Sequence, residues 1–208
     1  LKDAIERLGG RAESEEWDKL ASDRDRLIKL GNYKEAHGIA KIVVALVRKG
    51  KPASRELAEA VKSLGNTSYY LGDASAAKEA WKESLSILAK QEPTSLDIAI
   101  IYGDLGTLAE GTGDLSEAKR QHEAALAHRE KRAPGSMLVA ESLRNIGIIA
   151  RARGELDEAV VRLKGALAIE SRCDPLSPER GGSLALLGAV CQERGELDEA
   201  QRWYEAAL

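Results

Sequence analysis

Leu105-Gly106-Thr107-Leu108-Ala109-Glu110-Gly111-Thr112-Gly113-Asp114-Leu115-Ser116-Glu117-Ala118 carries a glycine at its second position, another seven residues on, and an alanine five residues after that. The same skeleton returns as Ile146-Gly147 with Gly154-Glu155-Leu156-Asp157-Glu158-Ala159, and again as Leu187-Gly188 with Gly195-Glu196-Leu197-Asp198-Glu199-Ala200. Each copy is displaced by 41 residues, and the spacing runs upstream as well. Gly31, Gly72, Gly113, Gly154 and Gly195 share one register position, and Ala36, Ala77, Ala118, Ala159 and Ala200 share another. The inner glycine recurs as Gly65, Gly106, Gly147 and Gly188, with Arg24 in its place in the first copy. Pro52, Pro93, Pro134 and Pro175, each followed two residues on by Ser54, Ser95, Ser136 or Ser177, complete the period. Independent landmarks in one register mark a tandem supersecondary unit.

Each landmark has a mechanical reading. The turn glycine ends an apolar-periodic segment, where a left-handed residue is needed, and Asn32, Asp73 or Asp114 follows it as a candidate N-cap. Asn32/Glu35 and Asp114/Glu117 have capping-box spacing. Proline cannot continue a helix and serine accepts from orphan amides, so Pro-x-Ser stops one helix and caps the next. Each unit is therefore predicted to be helix, tight turn, helix, short loop. The inner glycine falls in mid-helix, where it costs about 1 kcal/mol relative to alanine. Close helix approach is the expected compensation, with Gly65, Gly106, Gly147 and Gly188 facing Ala77, Ala118, Ala159 and Ala200. Val61, Tyr102, Leu143 and Leu184, together with Leu64, Leu105, Ile146 and Leu187, form the predicted inner seam.

The order Leu-Gly, Gly-Asp/Glu-Leu, x-Glu-Ala and Ala-Leu resembles the tetratricopeptide repeat. Its long unit is similar to the kinesin-light-chain type, most closely over Ala125 to Lys131 and Glu141 to Gly147. The resemblance runs from about residue 14 to 208 and implies an all-α fold, a right-handed superhelical solenoid of antiparallel helix pairs. Residues 1–13 are expected to hold a partial helix and loop, 14–53 an atypical first repeat, 54–94, 95–135 and 136–176 full repeats, and 177–208 an incomplete fifth.

Lys and Arg number 31 against 34 Asp and Glu, a net charge of -3 with both signs interspersed, so there is no electrostatic drive toward nucleic acid. The longest aliphatic run, Ile42 to Val47, is far short of the roughly 20 residues of a membrane helix, and no charged-then-apolar leader opens the chain. Neither nucleic acid nor membrane is an expected partner. Cys173 and Cys191 alone cannot make a disulfide framework or a four-ligand zinc site, and their scarcity fits a reducing cytoplasm. His122 stands where other repeats have Trp81, Leu163 and Tyr204, and Cys191 where they have Ser68, Ala109 and Ala150, so both read as packing residues. Cys173 reads as an inert thiol in an inter-repeat loop. With no phosphate loop, dinucleotide fingerprint or HExxH helix, no catalytic residue, cofactor or metal is expected. His128-Arg129-Glu130-Lys131-Arg132 reads as a solvated helix C-terminus, and Tyr69-Tyr70 as either a recognition platform or ordinary packing.

What the resemblance implies for function is recognition of a protein or peptide in a concave groove lined by the first helices. Its groove register falls on Lys62, Ser63, Asn66 and Tyr69, on Asp104, Thr107 and Glu110, on Arg144, Asn145, Ile148 and Arg151, and on Leu186 and Gln192. Asn145 matches the asparagine that precedes Leu-Gly in peptide-clamping members; Ser63, Asp104 and Leu186 replace it elsewhere. The rival expectation is a sensor or regulatory part of a larger signalling enzyme or ATPase. The apolar end at Leu208 is expected to favour association between copies of the chain.

Overall fold

The structure, a computed structural model, describes residues 13–208; the helix expected near the N-terminus, apart from residue 13, lies outside them. The described residues fall into two compact units that meet in sequence between residues 95 and 96. The first holds α1 (Glu13–Lys29), α2 (Tyr33–Gly50), α3 (Arg55–Tyr70) and α4 (Ala74–Gln91). The second holds α5 (Leu96–Gly111), α6 (Leu115–Arg132), α7 (Met137–Ala152), α8 (Leu156–Cys173), α9 (Pro178–Glu193) and α10 (Leu197–Ala206). Within each unit every helix packs on the next, and in the second α7 also touches α9. The chain is all-α, with no strand among the described residues.

The turns follow from glycine. Gly31, Gly72, Gly113, Gly154 and Gly195 all have φ between 76° and 80°, conformations that a Cβ disfavours. At Gly113 the amide donates to the Glu110 carbonyl (2.9 Å) and the Asp114 amide to the Ala109 carbonyl (2.9 Å), which is the Schellman pattern; the other four turns repeat it. Asp73 and Asp114 then accept from the amides of Ala76 and Glu117, whereas Asn32 makes no side-chain cap, so only the second of the two expected capping boxes has its first half. Ser54 and Ser177 cap as expected, while the buried Ser136 hydroxyl has no partner.

The inner glycines do allow close approach, chiefly to the residue one turn beyond the one expected; at Gly147 the expected Ala159 also comes near, its carbonyl oxygen 3.5 Å from the place of a Cβ. A Cβ on Gly65 would stand 2.5 Å from the Trp81 ring, on Gly106 2.5 Å from His122, on Gly147 2.8 Å from Leu163, and on Gly188 2.7 Å from Tyr204. The large side chain one turn beyond each register alanine lies flat over the glycine. The alanines are buried nonetheless, three of them fully. Where Arg24 replaces the glycine, the opposing register position is Ala40, fully buried, so large and small have exchanged places across the seam. This accounts for the first repeat's departure from the pattern.

Polar detail at the helix starts sets a pH dependence. Glu56, in the first turn of α3, is held at about 2 rather than 4.5 by the hydrogen bond from Lys51 first, then by its own amide and Ser54. Because its carboxyl is depressed on folding, its contribution is present above pH 4.5 and lost as the pH falls toward 2. We expect urea midpoints of the protein and Glu56→Gln to differ at pH 6 and to converge on acidification through that window. Midpoints that stay equally far apart at both ends would contradict it.

Candidate functional site

On α3, Lys62 and Asn66 are half-buried and Tyr69 is exposed. Asn66 Oδ1 accepts from Trp81 Nε1 at 2.8 Å, so the residue that fills the glycine seat also fixes the asparagine. Tyr69 and Tyr70 are both exposed, although helical geometry leads one to expect only one of two neighbours to point outward. Tyr70 stacks on Tyr33 at 4.6 Å between centroids, and Tyr69 meets Tyr70 edge-on at 6.1 Å. The pair is an aromatic surface continuous with Trp81, 5.9 Å from Tyr69.

In the second unit Asp104 and Asn145 are half-buried, Thr107 and Ile148 exposed, and Glu110, Arg151 and Gln192 share one register position on α5, α7 and α9. Each of these last three is held by a second side chain. His122 Nε2 lies 2.8 Å from Glu110 Oε1, Tyr204 donates its hydroxyl to Gln192 Oε1 at 3.1 Å, and Arg151 pairs with Glu193 at 2.6 Å. The side chains seated over Gly106 and Gly188 therefore do two things: they fill the seam and orient a surface polar group. Sequence reading assigned His122 to packing, which its 1% exposure bears out, but the reach to Glu110 was not visible from spacing.

Arg144 is different from the others assigned to the groove. Its guanidinium donates to Glu170 Oε1 at 3.0 Å across α7 and α8, and Glu170 is fully buried. Arg144 is thus committed to a buried partner, and reversing its charge would disturb folding as well as any binding. Lys119 on α6 is likewise tied to Glu155 (2.8 Å) and Glu158 (2.6 Å), whose carboxyls it holds below their usual range. The cluster read as a solvated terminus also needs correction, since Arg129 is 5% exposed and donates to the Leu138 carbonyl (3.0 Å) and Ser142 Oγ (2.8 Å). Cys173 ends α8 rather than lying in a loop, and is exposed; Cys191 is buried, where desolvation first and then the Glu199 and Glu196 carboxylates push its thiol up. Among the described residues no helix is long and apolar enough to cross a membrane.

The MalT-like TPR region family matches residues 26–208. The chain belongs to that family. Its tetratricopeptide-repeat fold is similar to that of BtubC (BKLC) from P. vanneervenii, with a TM-score of 0.83 and 20% identity over 91% of this chain and 77% of that one. It is also similar to a Podosopora anserina kinesin light chain of nearly identical TPR-like repeats, with a TM-score of 0.81 and 21% identity over 96% of this chain and 95% of that one. MamA from Desulfovibrio magneticus RS-1 follows, with a TM-score of 0.68 and 16% identity over 92% of each chain. No match was found among curated protein sequences. At these identities the likeness establishes the fold, long-unit tetratricopeptide repeats, and nothing about ligands.

Proposed function

We propose that this chain is a non-enzymatic, cytoplasmic protein-interaction scaffold that takes a peptide or protein segment on the exposed faces of α5, α7 and α9. The observation that carries this reading is the row Glu110, Arg151 and Gln192, three surface polar groups each held in one orientation by a second side chain. Pre-oriented groups cost little ordering entropy on binding, which is what a recognition surface needs and a merely solvated face does not. Exposed Thr107 and Ile148 supply contact area beside them. The occupant suited to this row is an extended or helical segment carrying charges of both signs. The Tyr33–Tyr69–Tyr70 surface of the first unit is a second aromatic contact area within the same role. Both cysteines are free thiols, as a cytoplasmic protein would carry.

A random peptide library displayed on phage tests this. Peptides selected on the protein are expected to lose on the order of tenfold in affinity to Arg151→Glu, with the loss shrinking at high salt. Arg120→Glu, on the outer face of α6, should leave affinity unchanged, since Arg120 is 72% exposed and bridges only within its own helix to Glu117. Peptides that tolerate Arg151→Glu but not Arg120→Glu would move the binding surface to the second helices.

A further inference from the structure

The start of α8 presents Glu155, its N-cap residue, and Glu158, and between them sits a cation: Lys119 Nζ, 2.8 and 2.6 Å from the two carboxylates. One repeat later the same register positions are Glu196 and Glu199, again at the start of α10. There, however, the lysine's register position is Val160, and the register position of Ala150 is Cys191, 1% exposed. The Cys191 thiol and one carboxylate oxygen from each of Glu196 and Glu199 lie within 4.8 Å of one another. A pair of carboxylates that elsewhere in this chain closes on one bridging ammonium lacks that bridge here and has gained a sulfur.

We propose that Cys191, Glu196 and Glu199 form a binding site for a divalent, borderline-soft metal ion of the zinc class. One thiolate and two carboxylates leave a fourth position for water, a donor set suited to such an ion. Ligand atoms about 2.0–2.3 Å from a shared ion stand about 3.3–3.8 Å apart, so small side-chain rotations close the present arrangement onto a metal. The metal displaces the thiol proton: an S–H bond breaks, an S–metal bond forms, and the proton leaves to solvent. Two cations face the site already, Arg194 at 2.9 Å from Glu196 and Lys164 at 3.4 Å from Glu199, and Trp203 Nε1 donates to Glu199 Oε1 at 3.3 Å. Arg194 also pairs with Asp157 at 3.0 Å, and each cation takes one member of the Glu196/Glu199 pair, whereas Lys119 bridges both members of its own.

Cobalt(II) titrated into the Cys173→Ser protein, whose only thiol is Cys191, reads the site directly. A thiolate-to-cobalt charge-transfer band saturating at one equivalent is expected, with zinc displacing it. Cys191→Ala should abolish the band while the protein stays folded, because Ala109 and Ala150 fill that register position in other repeats. Glu199→Gln should weaken binding at least tenfold. Val160→Lys, which restores the ammonium of the preceding repeat, should abolish binding with the helical circular dichroism retained. Absence of the band in the Cys173→Ser protein overturns the site. So does a band that survives Cys191→Ala, or one that neither Glu199→Gln nor Val160→Lys alters, since the last would mean an adventitious thiolate only.

Discussion

Gly106→Leu is expected to destabilise the protein by about 3 kcal/mol, because the added side chain enters space that the His122 ring occupies. A bare Cβ there already stands 2.5 Å from His122 Nε2. His122 must then leave the seam, and with it goes the hydrogen bond to Glu110. Gly111→Leu is the control, since a Cβ on Gly111 meets nothing within 4 Å. The first repeat indicates a rescue: Gly106→Leu combined with His122→Ala recreates the Arg24/Ala40 exchange and should recover part of the loss. Urea denaturation of the four proteins checks this, and equal losses for Gly106→Leu and Gly111→Leu would contradict the seating of His122 over the glycine.

Arg144→Ala should cost about 3–5 kcal/mol, the penalty of stranding a buried charge. Glu170 is fully exposed to the interior and not to water: it is 0% accessible, its Oε1 accepts from Arg144, and its Oε2 has no partner. Removing the guanidinium leaves the carboxylate with no compensation. The double replacement Arg144→Leu with Glu170→Leu should recover most of the stability, since an apolar pair of similar volume spares both desolvation costs. The same urea measurement applies. A loss below about 1 kcal/mol for Arg144→Ala, typical of an exposed ion pair, would contradict the buried-pair reading.

The repeat made the fold legible because each landmark has a local cause. A turn glycine at φ near 78° and a proline that ends a helix act within a few residues, so their spacing shows in one dimension. What faces the inner glycine did not show, because the choice between Ala118 and His122, one helical turn apart, depends on how the second helix is rotated against the first. A signal was present: the four positions opposite glycine hold Trp81, His122, Leu163 and Tyr204, while Arg24 is matched by Ala40, and that covariation of size favours contact. The candidate surface was legible as a row of register positions but not as a set of partners. Arg144 and Arg151 look equivalent in sequence; only the partner's depth separates them, a fully buried Glu170 for one and an exposed Glu193 for the other. Arg129 illustrates the same limit, since its place in a basic run hides that it and Glu170 share a register position in which both are buried.

The binding surface can be located without knowing the natural partner. A photo-crosslinking amino acid placed at Ile148 on α7, or at Val161 on the outer side of α8, reports which face meets a bound segment; both positions are exposed. With a library-selected peptide, Ile148 should yield the covalent adduct and Val161 should not, and the Ile148 adduct should fall when Arg151 is also changed to Glu. An adduct formed from Val161 and not from Ile148 would contradict recognition on the first-helix face.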